Sequence, residues 1–342
     1  MKAIVAESAA AGGPDQAPSP LPLRQIALPM PELRPHDLLL RVEAVAVNPV
    51  DAKVRAALAA DAAPRVLGWD AAGIVEAVGP AVSHFRPGDA VMAAGDITRP
   101  GCNAQWLAVD ERITGRRPRC SSWAEAAALP LTGLTAWEAL FERLGLDAEG
   151  GDAGRSLLII GGAGGVGSLA IQLARHAGLL VIATASRPES AAWARELGAD
   201  HVLDHSRQLA PQLAGLGLES VDRIANFADT DTYWDTMAEL IRPQGSIVAI
   251  VGNRGPLDLD KLKSKSASFH WEFMFTRPRY GTPDLARQGD ILEELADLIE
   301  VGALRTTLRS ELGTITAPNL ERAHALVASG RTIGKIALSG WD

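Results

Sequence analysis

Three glycines, Gly162, Gly164 and Gly167, stand in G-x-G-x-x-G spacing inside the stretch 156–167, SLLIIGGAGGVG. Glycines so spaced do specific work. The first permits a tight turn, the second lets backbone approach a pyrophosphate, and the third lets a helix pack on a strand. Ala163, Gly165 and Val166 fill out the loop. The flanking residues supply the context this motif needs. Residues 157–160, entered from Ser156, are apolar throughout and read as a strand buried on both faces. After the glycines, SLAIQLARHAG carries Leu169, Ile171, Leu173 and Ala174 on one helical face, and Gly178 ends it. The start of that helix offers free N–H groups and a partial positive charge to a phosphate. A second apolar strand over 179–186, LLVIATAS, closes a βαβ unit of about 30 residues. Three glycines alone are also an ordinary turn; the strand and helix around them select the dinucleotide site.

The end of the second strand indicates which dinucleotide. An NAD site places Asp or Glu about 20 residues on, to accept from the ribose 2′-hydroxyl. Here the strand ends Thr184-Ala185-Ser186-Arg187, with no carboxylate before Glu189. A hydroxyl followed by a guanidinium suits the 2′-phosphate of NADPH, which Arg grips with two parallel charge-assisted bonds. The alternative is a solvated Arg187 at the start of the next helix.

These elements sit in a chain of 342 residues, long enough for two domains. Hydrophobic content of 47% and charged content of 22% describe an ordinary globular protein. A net charge of −8 offers no basic stripe, which argues against nucleic acid as a partner. The two cysteines, Cys102 and Cys120, make neither a disulfide scaffold nor a metal-ligand spacing. The opening MKAIVAES is too short an apolar run for a signal peptide, and no run of 18 apolar residues occurs. The expectation is a cytoplasmic protein without a membrane span.

Residues 2–110 read as β-rich, with short runs at 2–6, 38–47, 71–78, 90–94 and 104–109 punctuated by Pro and Gly. That is the pattern of a compact, antiparallel, barrel-like domain. A short helix over 123–129, capped by Ser121 or Ser122, is expected to stop at Pro130; a longer one follows over 132–144. Beyond Gly167, further strands are expected at 201–203, 222–227, 246–251 and 268–275. Helices near 190–197, 232–241 and 259–265 alternate with them. The fold class is α/β, with six strands in a doubly wound parallel Rossmann sheet and a separate β-rich domain. The tail breaks the alternation, with helices at 285–299 and 317–328 and strands at 305–308 and 334–339. It is expected to return to the first domain.

Taken together, NPVD at 48–51, RPGD at 86–89, AALPLTGLTAW at 127–137 and GGAGGVG followed by ATASRPE resemble the medium-chain dehydrogenase/reductase superfamily, in its quinone oxidoreductase-like branch. GWDAAG at 68–73, AGDITRPG at 94–101, HWEFMFTR at 270–277 and GKIAL at 334–338 resemble, more closely, the zinc-type alcohol dehydrogenase-like proteins. The resemblance covers essentially the whole chain. It implies a GroES-like catalytic domain (1–126 with 277–342), a Rossmann NADPH-binding domain (127–276), and an active site in the cleft between them.

Zinc relatives hold catalytic metal with an early Cys, a His in Gly-His-Glu, and a later Cys or Asp, since such a site needs three side-chain ligands and one open position. Here 48–51 offers no thiolate, and the second motif reads Gly68-Trp69-Asp70. An indole nitrogen carries a proton and cannot ligate. His201 and His205, taken along one strand, would lie about 13 Å apart. No metal is expected. Without a Lewis acid, alcohol oxidation lacks a means of stabilising its alkoxide. Hydride transfer from NADPH to a quinone or α,β-unsaturated carbonyl is therefore the expected reaction. The alternatives are a zinc-type alcohol dehydrogenase or carbonyl reductase, and a non-catalytic NADPH-binding protein.

For catalysis the resemblance nominates Asn48 as an amide donor and Asp51 as an orienting group, with an Asx turn around Pro49 as the alternative. Lys53 stands where quinone-branch relatives often carry Tyr, and is either a substrate contact or a surface lysine. Trp69 is either a pocket wall or domain core. For the cofactor it nominates Thr132 and Thr135 at the nicotinamide end, or else as helix caps, and His205 near the adenosine. It adds Phe227, Val251, Phe273 and Lys335, with core packing as the alternative for the first three and a solvated face for Lys335. The apolar outer strand at 268–275 would be a hazardous open edge, so a homodimer is expected to cover it.

Overall fold

A computed structural model describes residues 1–7, 20–59 and 61–342. The chain divides into two compact units, Met1–Leu131 with Phe275–Asp342, and Thr132–Met274. No helix among the described residues is long and apolar enough to cross a membrane.

In the first unit, β1 (Lys2–Ala6) pairs antiparallel with β2 (Leu23–Ala27). The long strand β3 (Asp37–Val47) is mostly buried, and it leads directly into α1 (Pro49–Ala57). NPVD is therefore a helix start and not only a turn. Pro49 takes the first helical position, where its missing N–H is no loss, and the Asp51 carboxylate accepts the Asn48 N–H at 2.6 Å. Next come β4 (Arg65–Val66), β5 (Ala71–Val78), β6 (Ala90–Ala93), β7 (Trp106–Asp110) and β8 (Thr114–Arg116). A capping box of Ser122 and Glu125 starts α2 (Trp123–Ala127). Pro130 does not merely stop α2: it opens α3 (Pro130–Trp137), again at a position proline suits.

The second unit begins within α3, whose continuation over Glu138–Arg143 is a π turn rather than more α-helix. There follow β9 (Ser156–Ile160), α4 (Gly165–His176), β10 (Leu180–Thr184), α5 (Pro188–Glu196), β11 (His201–Leu203) and α6 (Leu209–Ala214). Then come β12 (Val221–Asn226), α7 (Thr230–Leu240), β13 (Ile241–Ala249), α8 (Asp260–Lys263) and β14 (Ser268–Trp271). The sheet order is β11-β10-β9-β12-β13-β14 and every pairing is parallel, the doubly wound arrangement. All five β9 residues are buried, as continuous apolar character requires of a strand covered on both faces. Leu158, Ile182, Ile224 and Ile247 on neighbouring strands pack with Trp234 and Met237 of α7 into one core. The edge strand is shorter than expected. It ends at Trp271, and Phe275 already belongs to the first unit.

The chain then returns to the first unit through α9 (Thr276–Tyr280), α10 (Arg287–Glu300), β15 (Leu308–Glu311), α11 (Ala317–Ala328) and β16 (Lys335–Ser339). The tail strand expected at 305–308 lies three residues later. Its sheet runs β15-β16-β3-β5-β6-β8, and the antiparallel register of β16 on β3 sets Ile336 opposite Val47.

Candidate functional site

In the second unit, the glycine turn joins β9 to α4 at the carboxyl end of the sheet, beside the point where strand order reverses between β10 and β12. That is where open α/β sheets take ligands. Gly161 adopts φ +84°, and the Gly161 N–H donates to Thr184 Oγ1 at 3.1 Å. A Cβ on Gly167 would lie 2.3 Å from Gly161 O, and one on Gly162 would lie 2.8 Å from Ala183 Cβ. Those two glycines are required by the protein's own packing. Gly164 is different. It caps α4 at an ordinary φ of −72°, no side chain caps the helix there, and a Cβ would meet nothing closer than 3.6 Å. Nothing within the unit demands glycine at 164, whereas a phosphate drawn against the bare helix start would. The turn therefore fits a dinucleotide. Gly164, Gly165 and Val166 are partly open to solvent, and Ala163 lies beneath them, buried.

The neighbouring strand ends bring the other nominated residues to the same edge. Ser186 is exposed and Arg187 is half-buried just beyond β10. His205 lies past β11, in a turn and not on the strand, with Nδ1 3.3 Å from Thr184 Oγ1. Burial holds the His205 imidazole below its usual range; the Arg187 charge adds to this and Asp204 opposes it. Thr184 thus links the glycine turn to the His205 side. Sequence reasoning passed over its role, although a hydroxyl closing the second strand was visible. Phe227 follows β12, Val251 follows β13 and Phe273 follows β14, the last 40% exposed. Thr132 and Thr135 are buried on α3. The helix starts at Pro130, so neither threonine is its cap.

Lys335 is not on a solvated face. It belongs to β16 of the first unit and is 3% exposed. Its Nζ donates to Asn48 Oδ1 at 2.5 Å, to Asp70 Oδ2 at 2.8 Å and to Val47 O at 3.2 Å. Asp70 is fully buried and also accepts from Asn48 Nδ2 at 2.8 Å and from the Leu131 N–H at 2.7 Å. The Asn48 amide is thereby fixed, with its oxygen toward an ammonium and its nitrogen toward a carboxylate. Burial raises the Asp70 carboxyl above the usual range, against the pull of Lys335 and the hydrogen bonds. Asp51 stands beside this cluster with one oxygen on the Asn48 N–H and Oδ1 without a partner. Burial pushes it up to about 7, with the Asn48 bond and Lys335 opposing. Trp69 is core: it is 1% exposed, edge-on to Phe275 at 6.1 Å, with Nε1 unpartnered. Lys53 is exposed on α1, apart from the cluster. Asp70 was missed because a lone aspartate after Trp69 carries no signal of its partners.

Two family models match, an alcohol dehydrogenase GroES-like domain over residues 34–138 and a zinc-binding dehydrogenase over residues 197–338. A zinc-type alcohol dehydrogenase-like protein of Staphylococcus aureus is 43% identical over 304 residues, covering 89% of this chain and 90% of that one. An NADPH-dependent alkenal/one oxidoreductase of Arabidopsis thaliana is 30% identical, over 90% of this chain and 73% of that one. The crystal structure of an alcohol dehydrogenase superfamily protein from Novosphingobium aromaticivorans superposes with TM-score 0.85 at 32% identity, over 99% of each chain. The chain belongs to the medium-chain dehydrogenase/reductase superfamily, in the quinone oxidoreductase-like branch, and is an oxidoreductase of that type.

The zinc in the family names does not fit the residues present. The ligand position is Trp69, and the Asp70 carboxylate is taken by the Lys335 ammonium. Among the described residues no three His, Cys, Asp or Glu side chains gather in a metal-holding group.

Proposed function

We propose that this chain is a zinc-independent, NADPH-dependent reductase of quinones or α,β-unsaturated carbonyls, with 127–276 as its dinucleotide domain and 1–126 with 277–342 as its catalytic domain. The observation that carries the reading is Gly164, a glycine the protein's own packing does not need, at the uncapped start of α4. The strand end without a carboxylate and the NADPH-dependent enone-reducing relative support the choice of cofactor and acceptor. Bound NADPH supplies the hydride. The first N–H groups of α4 hold its pyrophosphate, and Ser186 and Arg187 hold the 2′-phosphate, with His205 beside them. Thr132, Thr135, Phe227, Val251 and Phe273 shape the nicotinamide end. In the first unit, the Asp70–Lys335 pair orients Asn48 as a donor. Asp51, at about 7, is the carboxyl of that set able to hold or release a proton near neutrality.

The test is NADPH oxidation with 1,4-benzoquinone and a short enone, with and without a chelator, and with NADH in parallel. Chelator-insensitive turnover preferring NADPH is expected. Arg187→Ala should lower that preference about 10- to 100-fold, the worth of one charge-assisted contact. Loss of activity on chelation would sink the zinc-free reading, and equal use of both cofactors would sink the role of Arg187.

A homodimer is part of the same reading, because β14 is a sheet edge and its Trp271 is 43% exposed. Light scattering at micromolar concentration should give twice the mass of the chain; a monomer mass would count against it.

A further inference from the structure

The π turn after α3 has a chemical consequence. Widened turns of this kind are rare and concentrate at functional sites. This one places Glu138, 1% exposed, against Glu272, 2% exposed, the first residue past β14. Arg143 Nε, at the end of the same turn, donates to Glu272 Oε2 at 2.8 Å. Glu272 Oε1 has no donor while both carboxyls are ionised, because two carboxylates can only accept. A proton on either turns that contact into a hydrogen bond. Burial first, then the Glu138 charge, push the Glu272 carboxyl up to about 9, and Arg143 pulls it only part of the way back. The pair therefore keeps its proton at pH 7.

Two segments meet in this lock. Thr132 and Thr135 precede Glu138 on the same continuous helix, and Phe273 is bonded directly to Glu272. We propose that Glu272 is a positioning residue: through a proton shared with Glu138 and the ion pair with Arg143, it holds the Thr135 helix and the Phe273 segment in the arrangement that receives the nicotinamide end of the dinucleotide. The inference rests on the cofactor reading given above. The charges that act on Glu272 are Glu138 and Arg143 from the π turn, and His270 of β14 feels the same Arg143. Arg242, the charged residue of β13, is already held by Asp222.

The experiment uses the full chain and titrates NADPH by its fluorescence from pH 6 to pH 10, for wild type, Glu272→Gln and Glu272→Ala, with thermal melting alongside. Gln keeps both a donor for Glu138 and an acceptor for Arg143 and has no proton to lose. Wild-type affinity should fall about 10-fold more than that of Glu272→Gln between pH 8 and pH 10, the factor for holding a proton one unit above its pKa. Glu272→Gln should match wild type at pH 7, and Glu272→Ala should bind more weakly there. Identical pH profiles for wild type and Glu272→Gln would overturn the inference alone. Absence of NADPH binding by wild type at pH 7 would overturn the cofactor reading and the inference with it. If Glu272→Ala fails to fold, the comparison of wild type with Glu272→Gln still decides.

Discussion

Gly164→Ala should fold and melt close to the wild type, yet bind NADPH about 100-fold more weakly. The two halves of that result have separate causes. At φ −72° alanine is unstrained, and its methyl would meet protein only at 3.6 Å. Removing glycine from the unfolded chain is stabilising by about 0.4–1 kcal/mol, which roughly offsets the poorer fit of alanine at an N-cap. The same methyl stands at the helix start where, in the proposed function, a pyrophosphate would approach backbone N–H groups. Losing one charge-assisted hydrogen bond to the phosphate, worth about 1.5–3 kcal/mol, is enough for a loss of that size. Gly167→Ala is the contrasting case. Its Cβ would lie 2.3 Å from Gly161 O and 2.8 Å from Gly162 Cα, backbone atoms that cannot swing aside. That variant should lose stability as well as binding. Fluorescence titration and a melting curve on both variants separate the effects. Wild-type affinity in Gly164→Ala would remove the main support for the dinucleotide site.

Asp70→Ala should cost the first unit about 3–5 kcal/mol, because it leaves the Lys335 ammonium buried without its counter-charge. The Asn48 amide and the Leu131 N–H lose an acceptor in the same step, which adds to the penalty. Attraction between the charges is not the reason for so large an effect. A paired buried charge is close to neutral against an apolar replacement, whereas an orphaned one is not. Asp70→Leu combined with Lys335→Met should therefore recover most of what either single change loses. Urea unfolding of the wild type, both single variants and the double variant forms the cycle that isolates the coupling. A loss below about 1 kcal/mol for Asp70→Ala would mean that water reaches Lys335 and that the cluster is not closed.

What could be read from residues alone was whatever is local or periodic. The Rossmann sheet was legible because parallel strands covered on both faces leave unbroken apolar runs, as at Ser156–Ile160, and β11 was located to the residue. The glycine turn was legible because its geometry is dictated within six residues. Proline misled twice, at Pro49 and Pro130, since the residue that ends one element is equally suited to begin a helix. The sequence by itself determined the doubly wound sheet, the separate β-rich domain and the glycine turn that leads into α4. Only tertiary structure decided which charges are buried. Lys335 and Asn48 lie 287 positions apart and meet because β16 pairs with β3, and Glu138, buried at the start of the π turn, meets Glu272 from beyond β14, 134 positions on. A lone lysine or glutamate reads as a solvated surface residue until long-range strand pairing removes its water. No local pattern records that step.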